Sequence, residues 1–205
     1  MDKGPNRAHG QLASRPSDDK MGVTRAQRSA DKEQPMANVI LIGMMGTGKS
    51  SVGKVLSEKF GWPFVDTDER IVVSAGMSIN EIFAHKGEQV FRRMEREVLR
   101  EVLAADRQVV TTGGGSVLLE ENRLLMRQRG WVCHLYATAG ILLQRLKNDT
   151  TRPLLQGDVA AKIDRLLRER AGYYDFAHLQ VDTSDKSIAE VAAEIERFVR
   201  NSEKD

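Results

Sequence analysis

The residues with the clearest chemical potential form a glycine-rich segment near position 45. Residues 43–50 have the sequence GMMGTGKS, which matches the pattern G-x-x-x-x-G-K-[ST]. Glycines at these spacings let backbone N–H groups turn towards phosphates, and the N-terminus of a following helix favours the same anion. In this pattern Lys49 neutralises charge on the β- and γ-phosphates, and the hydroxyl of Ser50 binds Mg²⁺. The segment therefore predicts a site for a nucleoside triphosphate.

Two carboxylates follow the second predicted strand. Asp66 and Asp68 are two residues apart, so in extended backbone they project to the same side, beyond the carboxyl end of the strand, where ligands bind in such sheets. One alternative is that Asp68 only caps the next helix. The guanine-reading pattern N-K-x-D is absent, and the third predicted strand ends in Thr111-Thr112-Gly113 rather than in an acidic residue. These features disfavour a GTPase and place the candidate metal ligand after the second strand.

Two arginines occupy helix positions that suit an anionic ligand. Arg92 falls at the edge of the apolar face of a predicted helix from Glu88 to about Ala105, whereas Arg93 falls nearly opposite that face. Arg170 falls near the middle of an apolar stripe, and a guanidinium is rarely buried without an anionic partner. The alternatives are a solvated flank position for Arg92 and an ion pair with a protein carboxylate for Arg170. Together the two arginines predict an acceptor that carries a carboxylate.

Two loops complete the candidate site. Gly113-Gly114-Gly115 follows the third predicted strand, where missing side chains permit close approach to a ligand, although a plain tight turn is an alternative. Residues 148–157, within a segment of about 148–160, have neither strand nor helix pattern and are interpreted as a lid. Arg152 on a closing lid would exclude water and stabilise charge on the transferred phosphoryl group.

The elements that must position these residues alternate between short apolar runs and helical patterns. The predicted strands are 38–42, 63–66, 108–112, 131–136 and 179–183. The runs at 39–42 and 109–112 are continuously apolar or β-branched, as expected when helices cover both faces of a sheet. Ser78 with Glu81 and Ser187 with Glu190 have the spacing of helix capping boxes. The pattern predicts an α/β fold with a doubly wound, five-stranded parallel sheet.

Length and composition favour one domain that binds a small metabolite. The chain has 205 residues, of which 40% are hydrophobic, and a net charge of +2, which is too small for the broad basic face of a nucleic-acid binder. The single cysteine, Cys133, lies in an apolar run and is expected to be buried, which suits a reducing cytoplasm. The sequence contains no apolar run of about 18 to 20 residues that would span a membrane.

The two ends of the chain differ from the predicted P-loop domain at 36–200. Residues 1–35 lack tryptophan, tyrosine and phenylalanine and are rich in charged residues, serine and glycine, so we predict a disordered tail. A functional docking arm is the alternative, and Met36 is a possible second start. Residues 201–205 are assigned to a short C-terminal tail.

The combined motifs are similar to those of the shikimate kinases, over about residues 39–199. The resemblance is carried by GMMGTGKS at 43–50, DTD at 66–68, FRR at 91–93, GGG at 113–115, TRPLL at 151–155 and R-x-x-x-Y at 170–174. It implies a P-loop fold of the nucleoside-monophosphate-kinase type and phosphorylation of the 3-hydroxyl of shikimate by ATP, on the route to chorismate and the aromatic amino acids.

The resemblance also implies roles for individual residues. Shikimate would be held by Asp68, Arg92, Gly114 and Arg170, with Asp68, Lys49 and Arg152 as the catalytic residues. Mg²⁺ would be held by Ser50 and, through water, by Asp66. ATP would be bound by Gly46, Thr47, Gly48, Lys49, Ser50, Ser51, Arg152 and, on the loop at 182–186, Lys186.

The resemblance further implies a cytoplasmic monomer without nucleic-acid or membrane partners. Two rival functions stay open at this point. A related small-molecule kinase, such as a gluconate kinase, shares the fold and the P-loop. A nucleotide-dependent switch protein would hydrolyse ATP without transferring phosphate to a metabolite.

Overall fold

A five-stranded parallel sheet forms the centre of the folded unit. The computed structural model describes Met1, residues 38–147 and residues 158–203. The strands in these ranges are β1 (Asn38–Ile42), β2 (Phe64–Asp66), β3 (Val109–Thr111), β4 (Gly130–Tyr136) and β5 (Leu179–Asp182). Their order across the sheet is β2-β3-β1-β4-β5, and all neighbours are parallel. Because β1 is central, the loop that follows it opens at the middle of the carboxyl edge of the sheet.

Helices connect the strands. Those in the described ranges are α1 (Lys49–Phe60), α2 (Thr67–Ala75), α3 (Ile79–Lys86), α4 (Glu88–Val102), α5 (Glu120–Arg129), α6 (Ala139–Leu146), α7 (Val159–Glu169) and α8 (Ile188–Ser202), with a 3₁₀ turn at Ser116–Leu118. Among these described helices, none is both long and apolar enough to cross a membrane.

Helices cover both faces of the sheet, as the continuous apolar strands predict. All five residues of β1 are buried. Val39 and Leu41 pack with residues of α1 and α8, whereas Ile40 and Ile42 pack with residues of α2, α3, α4 and α5. Alternate side chains of one strand therefore enter two separate cores, and the predicted doubly wound sheet is confirmed. Cys133 is fully buried, as predicted, and burial raises the pKa of its thiol to about 12.

Local signals place several helix ends correctly. Both predicted capping boxes form, with Ser78 and Glu81 at the start of α3 and Ser187 and Glu190 at the start of α8. Gly76 ends α2 in the left-handed conformation, with φ of 65°, which a residue with a side chain adopts only at a cost.

The structure shortens one predicted helix. The pattern from Glu88 to about Ala105 predicts three more residues than α4 contains, since α4 ends at Val102. The side-chain amide of Gln108 donates to the carbonyls of Val102 (2.8 Å) and Ala105 (3.2 Å). These bonds satisfy carbonyls at the helix end and lead the chain into β3.

Candidate active site

The glycine-rich segment forms a loop between the central strand and α1. Gly46 and Gly48 have positive φ values of 81° and 91°. The buried hydroxyl of Thr47 donates to the carbonyl of Met44 (2.8 Å), so this side chain braces the loop. The helix then begins at Lys49, and its N-cap, Gly48, has no side chain to cap it, as is usual where a helix N-terminus binds phosphate.

Lys49 and Ser50 lie where the loop meets the helix. The ammonium of Lys49 donates to the carbonyls of Gly43 (2.9 Å) and Met44 (3.0 Å), which holds it against the loop. The hydroxyl of Ser50 donates to Oδ2 of Asp66 (3.1 Å). Ser51, the next residue, is exposed in the first turn of α1. The loop thus presents an ammonium beside a paired hydroxyl and carboxylate.

Asp66, rather than Asp68, caps the helix that follows β2. Oδ1 of Asp66 accepts hydrogen bonds from the backbone N–H groups of Asp68 (3.0 Å) and Glu69 (3.4 Å). Its other oxygen, Oδ2, also accepts from the hydroxyl of Thr111 (2.8 Å). The alternative in which Asp68 serves as the cap is therefore wrong. The side chain of Asp68 therefore does not cap α2, while Asp66 is fixed at the end of β2 by both of its oxygens.

One cavity brings the predicted residues together. It has a volume of about 360 Å³ and opens at the carboxyl edge of the sheet. Its polar lining comprises Lys49, Ser50, Asp66, Asp68, Glu69, Arg92, Glu95, Thr112, Gly113, Gly114, Gly115 and Arg170, and its apolar lining comprises Met45, Ile79, Phe83 and Phe91. An ammonium group, four carboxylates and two guanidinium groups therefore line one space, which has an apolar wall.

The position of Arg92 is set by two glutamates. Its guanidinium pairs with Glu88 (3.1 Å) and with Glu95 (3.0 Å), and its side chain is 17% exposed. The alternative in which Arg92 is a solvated flank residue is therefore wrong, whereas Arg93 is exposed as predicted. The side chain of Glu95 is only 1% exposed, and it also accepts from the hydroxyl of Ser116 (2.6 Å). This buried carboxylate holds Arg92 at the cavity wall.

Glu95 is a functional residue that the sequence pattern missed. It lies four residues from both Phe91 and Leu99, which are buried members of the same helix face. A carboxylate at such a position is rarely buried without a charged partner. The helical spacing therefore indicates that Glu95 is a buried carboxylate in need of a cationic partner. Arg92, three residues earlier, is that partner.

Arg170 is buried without a carboxylate partner among the described residues. It is 5% exposed, and Nη1 donates to the carbonyl of Gly114 (2.9 Å) and lies 3.3 Å from Sδ of Met44. The alternative of an internal ion pair for Arg170 finds no partner in the described ranges. α7 ends at Glu169, so Arg170 begins a turn instead of continuing the helix. A buried guanidinium at a cavity wall is suited to an anionic ligand.

The three glycines after β3 make room for charged side chains. A Cβ added at Gly113 would meet Oδ1 of Asp68 at 2.6 Å, and one added at Gly114 would meet Nη1 of Arg170 at 3.0 Å. A Cβ added at Gly115 would meet Nη1 of Arg92 at a still shorter distance. The segment is therefore more than a tight turn, because each glycine lets one charged group reach the cavity.

Arg145 is a second residue that sequence reasoning missed. From α6 its guanidinium donates to the carbonyl of Gly46 (3.2 Å) and to both the hydroxyl (3.1 Å) and the carbonyl (2.6 Å) of Thr183. It joins the phosphate loop to the loop at 182–186. Lys186 of that loop pairs with Glu194 of α8 (2.6 Å). The sequence around Arg145 contains no motif that would have singled it out.

The predicted lid arginine, Arg152, lies outside the described residues, as does most of the predicted lid. Val159 and the rest of α7 follow it, and Asp158 caps that helix through the N–H of Ala161 (3.1 Å). The predicted segment of about 148–160 therefore reaches into the first turn of α7.

Comparison with known proteins finds similar sequences in one enzyme family. The sequence model of the shikimate kinase family matches residues 45–200. A shikimate kinase from Geobacter metallireducens is 47% identical over 163 residues, which are 79% of this chain and 91% of that protein. One from Bacillus anthracis is 41% identical over 165 residues, which are 80% of this chain and 99% of that protein.

Solved structures give the same result. Shikimate kinase from Acinetobacter baumannii, in complex with shikimate, has a TM-score of 0.78 and 35% identity, and covers 82% of this chain and 95% of its own. The Aquifex aeolicus enzyme has a TM-score of 0.72 and 36% identity, with 80% and 97% covered. A gluconokinase from Sinorhizobium meliloti, at 19% identity and a TM-score of 0.52, shares the fold alone. This chain belongs to the shikimate kinase family.

Proposed function

We propose that this protein transfers the γ-phosphoryl group of ATP to the 3-hydroxyl of shikimate, giving shikimate 3-phosphate and ADP. The observation that supports this most directly is the shared cavity, whose lining includes Lys49 of the phosphate loop together with Asp68, Arg92 and Arg170. Membership of the shikimate kinase family names the acceptor.

Two arginines and a backbone segment are proposed to bind the acceptor. Arg92 and Arg170 would bind its carboxylate, since planar guanidinium groups match a carboxylate with two parallel hydrogen bonds. Gly114 would approach the ring closely because it carries no side chain. Asp68 would accept a hydrogen bond from the hydroxyl that attacks phosphorus, which orients it and can remove its proton as the new P–O bond forms.

The residues near the phosphate loop fit a magnesium ion. Ser50 and Asp66 offer a hydroxyl and a carboxylate oxygen within hydrogen-bond distance of each other, which is the hard oxygen set that Mg²⁺ prefers. No cluster of three acidic, histidine or cysteine ligands occurs among the described residues, and a nucleotide-bound Mg²⁺ needs few protein ligands because phosphates and water supply the rest. We propose that Ser50 binds the ion directly and Asp66 through water. When bound, the ion neutralises charge on the β- and γ-phosphates.

The nucleotide is proposed to bind along the loop from Gly46 to Ser51. Lys49 would contact the β- and γ-phosphates, and Arg152 of the predicted lid would stabilise the transferred group. We also assign Arg145 to this site, because it contacts both the phosphate loop and the loop at 182–186. Lys186 stays a prediction, and its pairing with Glu194 would have to break for it to reach a nucleotide.

The wider assignments follow from the family. We propose a soluble, cytoplasmic monomer that acts on the route to chorismate and the aromatic amino acids, without nucleic-acid or membrane partners. Residues 36–200 are proposed as the P-loop kinase domain.

A coupled assay of ADP release tests the function. Purified full-length protein with ATP and Mg²⁺ should release ADP only when shikimate is added, and removal of Mg²⁺ with EDTA should stop the reaction. Gluconate in place of shikimate should give no turnover. Equal ADP release with and without shikimate would favour a nucleotide switch, and turnover with gluconate would favour the related sugar-acid kinase.

Asp68→Asn should lower kcat by about 100-fold or more, which is the lower end of what a positioned acid or base contributes. The amide keeps the shape of the side chain but has no negative charge with which to orient the hydroxyl or accept its proton. Steady-state kinetics with varied shikimate measure the effect. Asp106→Asn, the same change at an exposed position, is the control. A kcat within threefold of the wild-type value would remove Asp68 from the catalytic residues.

Gly115→Ala should raise KM for shikimate by about tenfold or more, the scale of losing one hydrogen bond to a charged group. The backbone at position 115 has φ of −96°, which alanine tolerates, so the new methyl group acts by displacing Arg92. Gly140→Ala is the control, because a Cβ there meets nothing within 4 Å. Melting temperatures should stay close to the wild-type value in both variants. An unchanged KM in Gly115→Ala would contradict the assigned place of Arg92.

Deleting residues 1–35 should leave activity intact. The family model matches residues 45–200, which begin after this segment. Two related shikimate kinases align with this chain over 91% and 99% of their own length. Kinetics of the shortened and full-length proteins would be compared under the same conditions. A fall of more than about tenfold in kcat/KM, which is about 1.4 kcal/mol, would show that the segment has a function.

A further inference from the structure

His134 lies beside the acceptor site and has no part in the mechanism described above. Its ring stacks face to face on that of Tyr174, with centroids 4.2 Å apart and planes within 3° of parallel. His134 belongs to β4, where it pairs in register with Ile42 at the end of the central strand. It is therefore fixed to the sheet immediately next to the start of the phosphate loop.

Tyr174 joins this stack to the acceptor site. Its ring is buried, and its hydroxyl donates to the carbonyl of Gly114 (3.3 Å). Nη1 of Arg170 donates to the same carbonyl (2.9 Å). One backbone oxygen of the glycine segment thus receives a hydrogen bond from Tyr174 and another from the guanidinium that is proposed to bind the carboxylate.

Arg170 stands at the C-terminal end of α7, where its backbone N–H still donates to the carbonyl of Leu166 (3.1 Å), so the turn that follows it needs support from outside the helix. α7 ends at Glu169, and the chain continues through a turn in which Tyr173 N donates to the carbonyl of Arg170 and Gly172 has φ of 82°. The turn is tied to β4 at its far end, where His178 N donates to the carbonyl of Val132 (2.8 Å). Between these points, the stack on His134 is the aromatic contact that joins the turn to the sheet.

We propose that His134 is a positioning residue of the acceptor site, which holds Tyr174 by ring stacking and thereby fixes the Gly114 carbonyl and the guanidinium of Arg170. This inference rests on the proposed function, since it concerns binding of the shikimate carboxylate. A parallel aromatic pair contributes beyond the area that it buries, and a ring on a central sheet is a rigid support.

The electrostatic surroundings agree with a neutral ring. Burial lowers the pKa of His134 to about 4, and the positive charge of Lys49 lowers it further, whereas Asp175 and a hydrogen bond with Gln180 have smaller effects that raise it. At neutral pH the imidazole therefore adds no charge beside Lys49 and Arg170, and it acts through its shape. An uncharged aromatic ring of similar size should therefore hold Tyr174 equally well.

The test compares an aromatic with an aliphatic substitution. His134→Leu should raise KM for shikimate by about three- to tenfold, the range expected for one stacked pair, with less than a twofold change in kcat and in KM for ATP. His134→Phe should restore KM to within twofold of wild type. Tyr173→Leu removes an exposed aromatic ring from the same turn and should have no effect.

A double-mutant cycle tests whether His134 acts through Tyr174. Once Tyr174→Leu is present, adding His134→Leu should raise KM no further. Additive effects, a rise in KM for ATP instead, or failure of His134→Phe to restore KM would each overturn the positioning role.

Tyr174→Phe provides a variant that keeps the stack. It loses only the hydroxyl bond to Gly114, should fold even if His134→Leu does not, and should itself raise KM for shikimate. An unchanged KM in Tyr174→Phe would overturn the proposed link. Absence of shikimate-dependent turnover in the wild-type protein would overturn the proposed function, and the positioning role with it.

Discussion

Lys49→Ala should lower kcat for shikimate phosphorylation by at least 100- to 1000-fold, about 2.7 to 4 kcal/mol. Phosphoryl transfer depends mainly on positioning and on stabilising charge at the phosphate oxygens, and Lys49 is the cation at the head of α1. Its ammonium is already held against the loop by the carbonyls of Gly43 and Met44. Little reorganisation is therefore needed when the nucleotide binds.

Lys54→Ala is the matched control for this variant. Lys54 lies on the same helix but is exposed, so the substitution removes the same charge without touching the cavity. Its kcat should stay within twofold of the wild-type value. Circular dichroism and melting temperatures would show whether Lys49→Ala keeps its fold. A folded Lys49→Ala protein that retained most of its activity would contradict the assignment of the nucleotide site.

Arg170→Ala should lower kcat/KM for shikimate by about 30-fold to several thousand-fold, which corresponds to roughly 2 to 5 kcal/mol for loss of one partner of a buried charge pair. Arg170 is 5% exposed at the cavity wall, and no carboxylate pairs with it in the described ranges. Its guanidinium can therefore donate hydrogen bonds to the carboxylate of shikimate. Nucleotide affinity, measured by titration without shikimate, should hardly change.

Arg170→Lys should not restore the activity. An ammonium keeps the charge but cannot form two parallel hydrogen bonds to a carboxylate while also donating to the Gly114 carbonyl. Arg168→Ala, at an exposed position two residues earlier in the last turn of α7, is the control and should behave as wild type. If Arg170→Ala weakened nucleotide binding while shikimate affinity survived, the arginine would belong to the nucleotide site and the acceptor assignment would be wrong.

The sequence predicted most of the fold because its signals are local. Buried strands of a parallel sheet require continuous apolar runs, so all five strands were found to within about a residue at each end. Capping residues act within one turn, so Ser78 and Ser187 identify two helix starts. The sequence pattern did not predict the end of α4 correctly, because that end depends on Gln108. The side chain of Gln108 lies in the loop before β3 and donates to a carbonyl at the end of the helix.

The features of the candidate site also divide into those that the sequence predicts and those that depend on the tertiary structure. The sequence alone determined the phosphate loop, the two carboxylates after β2 and the arginines Arg92 and Arg170, because each of these was predicted from residue type and spacing along a single element, although Arg170 proved to lie just after its helix. Only the tertiary structure decided that Ser50 and Thr111 fix Asp66, that Arg145 joins the phosphate loop to Thr183, and that His134 supports Tyr174. These contacts join residues brought together by packing, and the shape of a side chain's surroundings is not encoded in the spacing of its own element.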